Sequence, residues 1–201
     1  MGQRLVITVR NNGEELAKIY YHWSAYTVNA LWRASELAKC IYNHKDETEK
    51  ELKLRLIRFC EENGGGIDGN PHEFQYVQNM YPNEIFKREG YSRSDGLIAL
   101  SESGMIALQD WSEGDIYFDI DEESIWNGVY CSWNSLEDYN NEVRSWGEEY
   151  EDWVLTLADV PDIGYDLDAI DVKDIDKVIK AIEEAKEHIV RHGNEIYELT
   201  E

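Results

Sequence analysis

The first apolar and polar positions of the chain alternate with the period of a β-strand. Leu5, Ile7 and Val9 would share one face of such a strand. The Asn-Asn-Gly-Glu stretch at 11–14 contains residues that accept a positive φ angle, so a hairpin turn is predicted there, with a second strand over 15–23. The chain therefore begins with a predicted β-hairpin.

Two helices are predicted within 27–62, because apolar residues recur there at helical spacing, first up to about Tyr42 and then over 46–62. A glycine triplet, Gly64-Gly65-Gly66, follows the second helix and would end it. The segment 63–95 has weak periodicity and is predicted to be a long loop that contains a short helix.

The period returns to two in the segment 96–133. Leu97–Leu100 and Met105–Leu108 are separated by turn residues and are predicted to form a hairpin. Asp115–Asp121 is predicted to be a further strand, with apolar residues on one face and acidic residues on the other. This segment therefore indicates an antiparallel meander.

The last predicted element is a helix over 174–192. Asp171 or Asp174 would cap its first turn, and apolar residues at helical spacing follow. Together these elements predict an α+β fold. An antiparallel sheet, made of the N-terminal hairpin and the 96–133 meander, would pack against the helices of 27–62 and the C-terminal helix. We expect one domain over 1–201.

Composition supports a folded chain. Of the 201 residues, 42% are hydrophobic, and seven are Trp and thirteen Tyr, which offsets the disordering effect of a net charge of −23. Cys40, Cys60 and Cys131 are widely separated, so we expect reduced thiols and neither a disulfide framework nor a zinc site. With no long apolar run and no leader pattern, the chain is expected to be cytoplasmic.

The negative charge is concentrated in one third of the chain. Residues 110–176 hold 21 acidic side chains against only Arg144 and Lys173, a net charge of −19. Two interpretations follow: a solvated surface that keeps the protein soluble, or a surface that imitates a nucleic-acid backbone and meets a basic partner.

The second interpretation gives a specific candidate surface. In an extended strand, alternate carboxylates lie roughly 6.6 Å apart, which is dense enough to present phosphate-like charge. Carboxylates of this surface would pair with Lys and Arg side chains that normally hold phosphates. The predicted partner-binding residues are Asp115, Asp119, Asp121, Glu122, Glu123, Glu148, Glu149, Glu151 and Asp152.

The sequence contains no recognisable catalytic or metal motif. There is no G-x-S-x-G elbow, and the Asp-rich stretches lack the central Gly and terminal Glu of a calcium loop. His188 and His192 are four residues apart and could bind one metal ion together. Both, however, fall in the last turns of the predicted helix, where a histidine interacts favourably with the helix dipole. We therefore predict no catalytic residue, no metal and no cofactor, and expect a protein that is not an enzyme.

An alternative is a small-ligand protein, such as a sponge for a nucleotide signal, or an unrecognised enzyme. Its pocket would lie near Tyr21, His22 and Trp23 and the Gly64–Asn70 loop. Such a pocket needs local cations to offset the overall charge. The available cations are Arg55, Arg58, Lys87, Arg88 and Arg93.

Two stretches, RLVITVRNNGEELAKIYYHWSAYT and DGLIALSESGMIALQDWSEGDIYFDID, resemble a family of uncharacterised proteins encoded by phages and prophages of Gram-positive bacteria. The resemblance implies a mobile-element setting, where the charge distribution is similar in kind to antirestriction and anti-CRISPR proteins. The leading hypothesis is an inhibitor in the host cytoplasm that binds a basic, nucleic-acid-binding defence protein and does not itself bind nucleic acid or membrane. A homodimer is compatible with this hypothesis.

Overall fold

The structure is a computed structural model. It describes residues 4–25, 27–90, 95–127, 141, 144–153, 169–180 and 183. The strands are β1 (Leu5–Asn11), β2 (Glu14–Tyr21), β3 (Gly66–Asp68), β4 (Arg88–Glu89), β5 (Leu97–Ala99), β6 (Gly114–Asp119), β7 (Ser124–Asn127) and β8 (Ala169–Asp171). The α-helices are α1 (Thr27–Ile41), α2 (Glu49–Glu62), α3 (Pro71–Met80) and α4 (Glu102–Gln109), and a C-terminal helix covers 175–180. Tyr42–His44 and Glu148–Trp153 form 3-10 helices.

All of these strands belong to one sheet, in the order β4-β3-β5-β2-β1-β6-β7-β8. Most neighbouring pairs are antiparallel, and the α+β class predicted from the sequence is confirmed. The pairs β1–β6, β3–β4 and β3–β5 are parallel. The N-terminal hairpin therefore lies at the centre of the sheet and joins its two halves.

The predicted hairpin is present between β1 and β2. Leu5 pairs with Tyr21 and Asn11 with Glu14, and the turn between the strands contains Asn12 at φ 52° and Gly13 at φ 79°. Asn and Gly adopt this left-handed region at low cost, which explains why the chain reverses here.

The predicted second hairpin is wrong. Leu97–Ala99 is the strand β5, but Met105 and Leu108 lie on α4 and not on a second arm. Ser101 caps α4 by accepting a hydrogen bond from the Gly104 amide at 3.1 Å. The Ser-Glu-Ser-Gly stretch is thus a helix start, because a serine at the N-cap satisfies an amide that the first helical turn leaves open.

Helix α2 begins with a capping box. Thr48 and Glu51 each bind the other's backbone amide, and the Glu51 carboxylate lies 2.8 Å from the Thr48 nitrogen. The long loop predicted after α2 contains α3, as expected, with Asn70 as its N-cap and Pro71 in the first turn. It also contains two short strands, β3 and β4, that its periodicity did not predict.

The two faces of the sheet are covered by different helices. On one face, residues such as Ile7, Ile19 and Phe118 are buried against Leu31 of α1 and Leu56 of α2. Each such side chain contributes about 1.5–3 kcal/mol through burial. On the other face, a smaller cluster packs under α4: Val6, Tyr20, Leu97, Ala99 and Leu108.

The C-terminal helix begins where the sequence predicted it. The side chain of Asp171 accepts a hydrogen bond from the Lys173 amide at 2.8 Å, and Ile175 and Ile179 are buried in the main core. Except for residue 183, which is helical, the part of the predicted 174–192 helix beyond 180 lies outside the described residues.

Candidate partner-binding surface

Three of the predicted partner-binding carboxylates have partners within the chain. Asp119 is 7% exposed and accepts both Arg10 hydrogen bonds, from Nε at 2.6 Å and from Nη2 at 2.8 Å. Asp115 accepts hydrogen bonds from Gln109 and Ser112, each at 2.8 Å. The expectation that the acidic face of this strand is solvated is wrong for Asp119, because the parallel neighbour β1 places a guanidinium beside it.

Glu123 is the third of these carboxylates. It adopts φ 52° after β6 and forms ion pairs with Lys45 and with Lys173, the latter at 3.5 Å. The hydrogen bond from Lys45 is the main reason that the pKa of Glu123 is lowered. Glu123 therefore ties the β6–β7 turn to Lys45, which follows the 3-10 helix Tyr42–His44, and to Lys173, which follows β8.

Five other predicted residues are exposed: Asp121, Glu122, Glu148, Glu149 and Glu151. We call them the outward carboxylates. Within the part of the chain that the structure describes, none of them has an ion-pair partner. The side chain of Asp152, the ninth predicted residue, lies outside the described residues.

Most basic side chains, by contrast, are already neutralised by the chain's own carboxylates. Arg10 shows the pattern: hydrogen bonding to Asp119 raises the pKa of its guanidinium. Several guanidinium groups also lie over aromatic rings, as Arg10 does over Tyr117 at 4.9 Å. Further ion pairs of this kind are Arg4–Glu113, Arg33–Asp95, Lys39–Glu36, Lys53–Glu49, Arg55–Glu47, Arg58–Glu84, Lys87–Glu89 and Lys177–Asp174.

The alternative ligand pocket was expected where aromatic residues and a glycine-rich loop meet. The structure does bring them together: the Gly66 amide donates to the Gly96 carbonyl at 3.0 Å, and the space beside Gly96 is bounded by the Tyr21 ring. Tyr20 and Tyr21 are buried and pack in the core, and burial raises the pKa of both. Trp23, however, is 60% exposed.

The glycine turn itself does not form a phosphate cradle. The Gly65 amide donates to the Cys60 carbonyl at 2.8 Å, and the Ile67 amide donates to the Lys87 carbonyl at 2.9 Å. Amides that already donate within the chain cannot also bind a phosphate. A Cβ added at Gly66 would lie 2.6 Å from the Lys87 carbonyl oxygen, so glycine is needed here for the close approach of two backbones.

The cations proposed for that pocket are engaged elsewhere. Arg55 donates two hydrogen bonds to Glu47, Arg58 binds Glu61 and Glu84, and Lys87 binds Glu89. Arg88 donates to the Gly69 carbonyl at 2.6 Å and lies over the Phe74 ring. Arg93 lies outside the described residues. This arrangement does not favour a nucleotide ligand.

Lys18 and Glu73 are buried charged groups that were not predicted from the sequence. Lys18 is 6% exposed and donates to Thr8 at 3.0 Å and to Gln109 at 2.9 Å. Glu73 is 1% exposed and accepts hydrogen bonds from the Leu100 amide at 2.7 Å and from Ser101. The sequence signal that could have identified them is a charged residue at a position where the pattern of the element otherwise places apolar, inward-facing side chains. Both groups are fully bonded and hold α4 in place.

Among the described residues, no group of three or more His, Cys, Asp or Glu side chains could hold a metal ion. Two open cavities lie along the described residues. One of about 270 Å³ lies between α1 and the start of the C-terminal helix, and one of about 430 Å³ lies beside Arg55 and Cys40.

No described helix is long and apolar enough to cross a membrane.

Comparison of the chain with protein-family models, with curated proteins and with solved structures finds no significant match in any of the three. The resemblance to phage and prophage proteins therefore stays a prediction.

Proposed function

We propose that this protein binds a cationic protein surface through its outward carboxylates, Asp121, Glu122, Glu148, Glu149 and Glu151. One observation carries the proposal. The chain's own ion pairs take up most of its described cations, whereas these exposed carboxylates are left without an ion-pair partner in the described part of the chain. A partner that approaches the protein therefore meets uncompensated negative charge.

The partner that fits this surface best is a nucleic-acid-binding protein. The Lys and Arg side chains with which such a protein binds phosphates can bind carboxylates instead. Each of these contacts is a charge-assisted hydrogen bond. A protein with a net charge of −23 would repel nucleic acid itself. In the mobile-element setting that the sequence suggests, the partner would be a host defence protein in the bacterial cytoplasm, and the protein would inhibit it.

Capture from a bacterial lysate tests the proposal. The immobilised chain is expected to enrich basic nucleic-acid-binding proteins at low salt, and added duplex DNA should compete for them. A variant with D121N, E122Q, E148Q, E149Q and E151Q should lose them. The control variant removes five other exposed carboxylates, with E14Q, D46N, E62Q, D110N and E183Q, so that the net charge changes equally.

Two results would contradict the proposal. If both variants lose the captured proteins equally, only the overall charge matters and the outward carboxylates are a solubility feature. If capture is unchanged at high salt, apolar contacts carry the interaction, because exposed charges are screened beyond about 8 Å at physiological ionic strength.

A further inference from the structure

Two large aromatic side chains are exposed near the end of the central strand β2. Trp23 follows the end of β2 and is 60% exposed, and Trp32 lies on the first turns of α1 and is 45% exposed. The Arg33 guanidinium lies beside the Trp32 ring, and its Nε is 3.4 Å from the hydroxyl of Ser24, the residue after Trp23 in the chain. We call Trp23 and Trp32 the aromatic edge.

The aromatic edge already binds one guanidinium group. The Cζ atom of Arg33 lies 4.6 Å from the centre of the Trp32 ring and 4.7 Å from that of Tyr21. Asp95 neutralises this Arg33 charge at 3.1 Å, yet the Asp95 side chain is still 66% exposed. The Trp32 ring is thus in a cation–π contact with Arg33, while 45% of the side chain is still exposed. The carboxylate that pairs with Arg33, that of Asp95, is accessible as well.

Trp23 is held in position although it is exposed. Its ring meets the His22 ring edge to face, with ring centres 4.8 Å apart, and His22 Nδ1 lies 2.8 Å from the buried Tyr20 hydroxyl. Both indoles therefore rest on side chains that are anchored in the sheet. An anchor that is already ordered loses little conformational entropy when a partner binds, which is why rigid Trp side chains recur as interface hot spots.

We infer that Trp23 and Trp32 are stacking sites for arginine side chains of the cationic protein partner. The inference rests on the proposed function and goes beyond its site: Trp23 lies at the Gly114 end of β6, whereas Asp121 and Glu122 follow the Asp119 end, so the indoles would be a second contact with the same partner. Arginine is favoured over lysine because its planar guanidinium stacks on an indole face, as Arg33 does within the chain. The net charge of −23 disfavours a second copy of the chain, and it disfavours nucleic acid although bases also stack on Trp.

Two short peptides of equal length and charge, one rich in Arg and one rich in Lys, separate stacking from simple charge attraction. We expect the chain to bind the Arg peptide more tightly, by a factor on the order of ten for two stacking contacts. The variant W23L/W32L should bind both peptides equally, whereas W23F/W32F should keep part of the preference because its rings still stack. The control I85A/I106A removes exposed apolar area elsewhere and should keep the Arg preference.

The unmodified chain provides a test that does not depend on a variant folding. In a two-dimensional NMR titration, the Arg peptide should shift the indole N–H signals of Trp23 and Trp32, and the Lys peptide should shift them less at the same concentration. Shifts confined to other Trp residues would overturn the inference, as would equal affinity of the wild-type chain for the two peptides.

Self-association is the competing occupant of this edge. Sedimentation that depends on protein concentration, and that W23L/W32L abolishes, would assign the aromatic edge to a second copy and overturn the inference. The proposed function fails separately. It fails if removing the five outward carboxylates leaves capture of basic proteins unchanged, whereas the inference fails if the Arg preference is absent or survives in W23L/W32L.

Discussion

Arg10 binds both carboxylate oxygens of Asp119 across the parallel strands β1 and β6. The two residues are 109 positions apart in the chain and lie directly opposite each other in the sheet. Arg10 also lies over the Tyr117 ring. A carboxylate that was expected to face a partner therefore fastens two halves of the sheet together.

Replacing Asp119 by Asn should destabilise the protein by about 1–3 kcal/mol, because the two-point ion pair is largely buried on its carboxylate side. Denaturant unfolding measures the change. Asp121→Asn is the matched control at an exposed position and should change the free energy of unfolding by less than about 0.5 kcal/mol. Equal effects from the two substitutions would show that the Arg10 pair does not stabilise the fold.

Phe118→Ala should cost about 3–5 kcal/mol of stability, since Phe118 is 1% exposed and its loss leaves a cavity beneath α1 and α2. Thermal and denaturant unfolding both report this value. A cost below about 1 kcal/mol would mean that the surrounding side chains collapse into the space.

Gly66→Ala should be strongly destabilising even though glycine is the more flexible residue. The added Cβ would lie 2.6 Å from the Lys87 carbonyl oxygen, and a paired backbone cannot move away as a side chain can. Gly90→Ala is the control, because nothing lies within 4 Å of its added Cβ. We expect the control to be neutral or slightly stabilising, since alanine restricts the unfolded chain. Equal melting temperatures for the two variants would contradict this picture.

Glu47 should contribute stability that depends on pH. Hydrogen bonds from Arg55, and then its charge and the bond from His44, hold the pKa of Glu47 below the ordinary value of 4.5. A lowered carboxyl pKa stabilises the folded state above the unfolded-state pKa, and this contribution is lost as pH falls through the folded-state pKa. The stability difference between wild type and E47Q should therefore shrink below about pH 4.5. A difference that is constant with pH would contradict the assignment.

The two described thiols should react slowly with iodoacetamide near neutral pH. Burial raises the pKa of Cys40 and of Cys60, so little thiolate is present in the folded chain. Mass spectrometry of the native and the unfolded chain measures the protection of each residue. Fast labelling of native Cys40 would identify it as an activated thiol and contradict this expectation.

The sequence determined the local elements wherever periodicity and capping agreed. The β1–β2 hairpin, helices α1 and α2, and the start of the C-terminal helix follow from residues close in the chain. The Asn12-Gly13 turn and the Thr48 capping box are of this kind, because both ends of each interaction lie within a few residues. The concentration of acidic residues over 110–176 was equally visible.

Only the tertiary structure decided which of those acidic residues are available to a partner. Asp119 and Asp121 are alike in the alternating pattern, yet one is paired with Arg10 and the other is exposed. The difference arises because β6 ends at Asp119, opposite Arg10 of β1, and Asp121 lies in the turn that follows; the β1–β6 pairing joins distant segments and carries no local signal. The aromatic edge likewise depends on the sheet, because support for a side chain comes from neighbours that only folding brings into contact.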